Sequence, residues 1–206
     1  IVEHPEAVAG LLQPLDFNDE APLEMPERGE FVSTCYSPAM LPFVNNRRMP
    51  FLGSGALVIK RAVFDRLDGF TTACACAEDL DLILRAASEG PLWIISQPHG
   101  FAYRRRTGSL TSNHQATFEG MRFLLDQRSA GAYALSGEGH LINAVISNFV
   151  RPVAVDQART GRLRNCLVLY LRLLRNSVRQ QQIKFLIGLP ALLITGCLRR
   201  TVRSLS

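Results

Sequence analysis

Residues 70–85 read FTTACACAEDLDLILR: a run of small residues, then Glu78, Asp79 and Asp81, then Arg85. Leu80, Ile83, Leu84 and Ala87 recur at helical spacing, so the acids stand in the first turn of a helix with one buried stripe. Two chemistries suit acids there. They complement the positive end of the helix dipole. Alternatively, a carboxylate where a loop meets a helix takes the proton of an attacking hydroxyl as a general base. Asp79-Leu80-Asp81 formally spells Asp-x-Asp, a metal-binding pattern. Residues two apart on a helix point about 200° apart, so these carboxylates diverge rather than share an ion. Asp81 has a partner four residues on, in Arg85. Asp79 has none in the neighbouring sequence, and the helix N-terminus is expected to favour its ionised form.

Gly53-Ser54-Gly55 precedes the β-branched run Ala56–Ile59 and reads either as a phosphate-cradling turn or as an ordinary loop-to-strand turn. Arg104, Arg105 and Arg106 precede Gly108-Ser109. Guanidinium groups suit phosphate geometry, and a solvated basic loop has the same composition. His99, between Pro98 and Gly100, reads as a loop histidine; Trp93, Phe101 and Tyr103 sit in strand-like runs and read as core. Five cysteines form an odd set without framework spacing, which indicates reduced thiols in a cytosolic setting. Cys74-Ala75-Cys76 is half a metal site with no second pair near it, so no metal ligand is assigned in this chain.

These residues need elements to hold them. Residues 1–50 are rich in Pro and acids and read as loop with strands near Val8–Leu12 and Phe31–Cys35. RAVFDRLDGF predicts a two-turn helix ended by Gly69. Gly90-Pro91 stops the helix that bears the acids; LWIIS and GFAYR follow as strands. Helices are expected at about 114–129, 139–150 and 162–182. The chain begins IVEHPEAVAG, without an initiator methionine or a signal-peptide pattern, and reads as the interior of a longer protein.

Charge divides the chain. Residues 151–206 hold 11 Arg or Lys and one acid, Asp156, for a net +10, whereas residues 1–150 carry −5. Residues 159–182 interleave Arg with Leu, Val and Tyr at helical spacing. The apolar run Phe185–Leu198 falls short of the about 20 residues a spanning helix needs. This tail is expected to lie on an anionic membrane surface; packing on protein is the alternative. Nucleic acid is not expected as a partner, because no aromatic reading surface accompanies the Arg.

In order, FLGSGALVIKR, the helix ending LDGF, AEDLDLILR and YRRRTGSLTS resemble the C-terminal half of the catalytic domain of family 2 glycosyltransferases. The match covers residues 51–112 closely. It implies an α/β fold: a partial GT-A (Rossmann-like) domain over residues 1–130 lacking its N-terminal nucleotide-binding half, followed by a basic helical extension over 131–206. It implies that Asp79 is the base and Glu78 a neighbour orienting acceptor or base. It implies that Gly53, Ser54 and Gly55 line the acceptor side, and that Arg104 and Ser109 bind substrate. Donor would be a nucleotide sugar, acceptor a glycan or lipid-linked sugar, and Mg²⁺ or Mn²⁺ would be bound mainly by the absent half. The protein would sit in the cytoplasm, peripheral to the inner face of the membrane. One departure is Asp68-Gly69-Phe70-Thr71, where the family has Gly-Gly-Phe-Asp. The rival expectation is a non-catalytic membrane-associated module, or an inactive remnant of such an enzyme.

Overall fold

The structure is a computed structural model. It describes residues 4–18, 30–37, 39–40, 43, 52–97, 99–105, 113–133 and 139–205, with the main chain alone for 15–18, 104–105 and 195–205. The strands are β1 (Ala9–Leu12), β2 (Pro14–Asn18), β3 (Val32–Tyr36), β4 (Leu57–Ile59), β5 (Leu92–Gln97) and β6 (Phe101–Arg105). The helices are α1 (Arg61–Arg66), α2 (Glu78–Glu89), α3 (His114–Ser129), α4 (Gly139–Arg159), α5 (Leu163–Arg179) and α6 (Ile183–Leu205).

Four strands form a mixed sheet in the order β3-β5-β1-β4, and β2 and β6 pair as a separate parallel ribbon. β1 runs parallel to β5 and antiparallel to β4, and β3 is antiparallel to β5, with Cys35 opposite Trp93. At Gly10 a Cβ would meet the Trp93 ring at 3.4 Å, an ordinary contact distance, so the β1 backbone lies directly beside the indole. The α/β class expected from the sequence holds at this level.

Helix α2 carries its stripe and more: Leu80, Leu82, Ile83, Leu84, Ala86 and Ala87 are all buried. A helix apolar on most faces belongs inside a protein. Here the residues of β1 and β5 join α2, and Met121 and Leu124 of α3 and Val145 and Ile146 of α4 complete one continuous cluster. That cluster continues to Leu189 of α6. The helix bearing the acids is therefore a core element, held from several sides.

Three expectations need correction. Ser54–Ala56 is a single 3₁₀ turn, so β4 begins at Leu57 rather than Ala56. Helix α4 does not stop near residue 150 but runs to Arg159 with Pro152 inside it. Proline removes one helical hydrogen bond, yet Val150, Ala154 and Ala158 keep the same face buried, and that packing outweighs the loss. Helix α5 ends at Arg179, and a left-handed Gln181 (φ 52°) turns the chain into α6. Among the described residues no helix is long and apolar enough to cross a membrane.

Candidate functional site

Helix α2 starts without a side-chain cap, from Ala77 in the left-handed region (φ 79°, ψ 13°). An L-residue other than glycine held there costs about 1–2 kcal/mol. What holds it is α3: a Cβ on Gly120 would lie 2.1 Å from the Cys76 carbonyl oxygen and 3.3 Å from the Ala77 Cβ. The helix therefore presses directly on the loop that aims Glu78 and Asp79. By propensity alone, Gly120→Ala should gain about 1 kcal/mol. We expect instead a loss of about 1–3 kcal/mol from overpacking, read by urea denaturation. A variant as stable as the parent would mean that this contact does not shape the loop.

The Asp79 carboxylate accepts the Leu80 N–H at 2.7 Å and the Ser54 N–H at 3.2 Å. The second bond joins the Gly-Ser-Gly turn to the acid turn, two segments that sequence reading could list but not bring together. Gly53 is buried, while Ser54 and Gly55 are exposed, and nothing stands within 4 Å of where a Gly55 side chain would begin. Burial raises the Asp79 pKa above the ordinary carboxylate range, with the Glu78 charge acting in the same direction; the amides of Leu80 and Ser54 offset part of this. This reverses the expectation that the helix N-terminus favours ionisation. Desolvation of a half-buried carboxyl outweighs the dipole.

Asp81 does something different. It is 2% exposed and receives the Arg85 guanidinium (Nε at 2.9 Å, Nη2 at 2.8 Å) and the Tyr133 hydroxyl at 2.7 Å. Arg85 also donates to the carbonyls of Leu67 (2.5 Å) and Gly69 (2.8 Å). It thereby ties the end of α1 to α2. Gly69 is left-handed (φ +62°), and a Cβ there would meet the Phe64 ring at 2.9 Å. Burial, then the Asp81 carboxylate, push the Tyr133 phenol far up, so it remains a donor. The expected Asp81–Arg85 pair is present, and its place is the core. Asp79 and Asp81 turn to separate partners, so this pair does not form a cradle for Mg²⁺ or Mn²⁺.

The remaining candidates divide. Glu78 stands half-buried beside Asp79. Arg104 is placed by its main chain alone, on β6 opposite Phe17, and Ser109 lies outside the described residues. His99 sits between β5 and β6 with Nε2 3.5 Å from the Gln97 amide. Trp93 is buried, as its setting predicted. Burial pushes Cys74 up to about 11 and raises Cys76 too, which makes both poor nucleophiles.

Between the 67–75 loop and α3 lie two adjoining clefts. One, of about 510 Å³, is lined by Gly69, Phe70, Asp81, Arg85, Phe123 and Gln127. The other, of about 320 Å³, is lined by Ala73, Cys74, Glu119, Arg122 and Asp126. Neither these clefts nor Tyr133 had a sequence signal, because their linings come from segments far apart in the chain. A comparison of the chain with protein-family models and with curated proteins finds no match.

Proposed function

We propose that this chain is the acceptor-side, base-bearing half of an inverting glycosyltransferase of the GT-A, family 2 kind, working at an anionic membrane surface. One observation carries the reading. Asp81 of the acid turn is committed to Arg85, whereas Asp79 lies against the backbone amide of exposed Ser54 at the start of a helix. A helix cap would be solvated and readily ionised; this carboxyl is desolvated and more basic than an ordinary one. A base improves as its pKa approaches the working pH, provided it still ionises.

In the reaction, Asp79 takes the proton of an acceptor hydroxyl as that oxygen attacks the anomeric carbon of a nucleotide sugar. The anomeric carbon–phosphate oxygen bond breaks, the electron pair leaves with the nucleoside diphosphate, and configuration inverts. Glu78, beside Asp79, orients the acceptor or the base. The glycine backbone admits the acceptor close to the turn. Asp79 and Asp81 do not form a hard-cation site. The test is a transfer assay on the native gene product with a panel of nucleotide sugars, with the product anomer read by NMR. Retention of configuration, or turnover indifferent to Asp79, would reject the assignment.

The membrane assignment rests on α5 and α6. Leu167, Leu171, Leu174 and Val178 are 37–58% exposed. At about 100° per residue they fall within a sector of about 60°, with Arg164 and Arg175 immediately beside it. Ile183, Ile187 and Ile194 extend the apolar surface along α6. Apolar residues inserted at the headgroup level and Arg reaching phosphates give a helix lying in the interface. The chain is expected to sediment with vesicles containing phosphatidylglycerol and not with pure phosphatidylcholine. Leu171→Glu with Val178→Glu should weaken that binding at least about tenfold, the effect of losing about 1.4 kcal/mol of apolar insertion.

A further inference from the structure

We propose that His4, Glu6 and Cys35 form a zinc-class metal site, binding through the imidazole Nδ1, a carboxylate oxygen and the thiolate. Their ligand atoms all lie within 4.8 Å of one another. His4 Nδ1 and Glu6 Oε1 are 3.0 Å apart. Tetrahedral zinc, with bonds of about 2.0 Å to N or O and about 2.3 Å to S, sets its ligand atoms about 3.3–3.6 Å apart. The trio therefore needs adjustments of side chains only.

Three elements of the fold bring these residues together. The Ala7 N–H donates to the His4 carbonyl at 3.0 Å, which folds the N-terminal turn. Cys35 is on edge strand β3, directly across from Trp93 on β5. The His4 ring rests near the Trp93 indole, with centroids 5.3 Å apart, so the ring has a fixed backing. Phe31 covers the same indole at 6.3 Å. A sulfur, nitrogen and oxygen set selects zinc or a similar borderline-soft ion over Mg²⁺ and Ca²⁺, which take oxygen ligands. On binding, the Cys35 thiol gives up its proton to solvent, and the neutral His4 ring keeps its own on Nε2. Three protein ligands leave one tetrahedral position for water or a fourth donor. The site stands apart from the glycosyl-transfer reading and does not depend on it.

Trp93 is the single tryptophan of the chain, and the His4 ring lies beside it, so its emission reads this site. The full 206-residue chain, stripped of metal, is titrated with Co²⁺ and with Zn²⁺. The expected result is one equivalent of Co²⁺ bound, with a thiolate-to-cobalt charge-transfer band and quenching of Trp93 emission, both reversed by Zn²⁺ and unaffected by millimolar Mg²⁺. Cys35→Ser should abolish the band and weaken Zn²⁺ binding at least tenfold. Glu6→Gln, at an exposed position that the fold tolerates, should weaken it as well. Cys74→Ser with Cys76→Ser should leave the band intact. Absence of the band, or a band that survives Cys35→Ser, overturns the proposal.

Discussion

Asp79→Asn is expected to lower glycosyl transfer by the native gene product by about 10²–10⁴-fold, the usual contribution of a positioned general base. It should do so while leaving the fold more stable at neutral pH, not less. Asparagine keeps one acceptor oxygen, for the Leu80 amide; the longer 3.2 Å bond from the amide of exposed Ser54 passes to solvent, and a charge that burial disfavours is removed. The sign follows from the raised folded-state pKa. The stability contributed by the Asp79 carboxyl is fully present below its unfolded value, taken as 3.8, and is lost as pH rises through the higher folded value. Above that window wild type holds an ionised group at a cost, and the variant does not. The gain in Tm should therefore be seen at pH 7 and vanish below the carboxylate range. A dipole-matched cap predicts the reverse: Asp79→Asn would destabilise at pH 7 and leave turnover alone. Melting curves at two pH values and one transfer assay distinguish the two. Transfer activity itself should fall on the acid side at a higher pH than an ordinary carboxylate would produce, because the base must be ionised to work.

Asp81→Ala is expected to destabilise the protein by about 3–5 kcal/mol, the cost of breaking a buried ion pair from one side. Arg85, with its side chain only 19% exposed, would keep its bonds to two carbonyls but lose its counter-charge. The Tyr133 hydroxyl would lose its acceptor in the same step. For a protein whose total stability is about 5–15 kcal/mol, a loss of that size removes from about a fifth to all of it. The double variant Asp81→Ala with Arg85→Ala should recover part of the loss, since no uncompensated cation then remains. Urea denaturation measures both. A single variant within 0.5 kcal/mol of wild type, a bound typical of plain surface substitutions, would refute the buried-pair account. Asp79 and Asp81, two residues apart, thus carry opposite expectations: loss of activity with a firmer fold, and a much weakened fold.

Much of this was legible in the residues. Helix α3 came out at its expected bounds, and the α2 stripe and the Asp81–Arg85 pair followed from spacing alone. What spacing could not supply was anything decided by contact across the chain. The Ser54 amide on Asp79, the Tyr133 hydroxyl on Asp81 and the Gly120 contact with Cys76 join residues far apart in sequence. The ionisation of Asp79 was misjudged for the same reason: dipole is a local property, whereas burial is tertiary. The His4, Glu6 and Cys35 cluster has no motif spacing; the N-terminal turn, the His4–Trp93 contact and the pairing of β3 with β5 bring it together. The helix expected to end near residue 150 runs on to Arg159 through Pro152, because core packing on both sides of the proline is a tertiary effect.

The resemblance ends at residue 112, yet the machinery that shapes the acid turn does not. Gly120 presses the loop into its left-handed start, and Tyr133 supplies the last hydrogen bond to Asp81. As a module, then, the smallest piece that can be moved to another protein with its acid turn intact extends at least to Tyr133. A graft cut where the recognisable motifs stop would carry every letter of them and lose the Gly120 and Tyr133 contacts that help aim the acids.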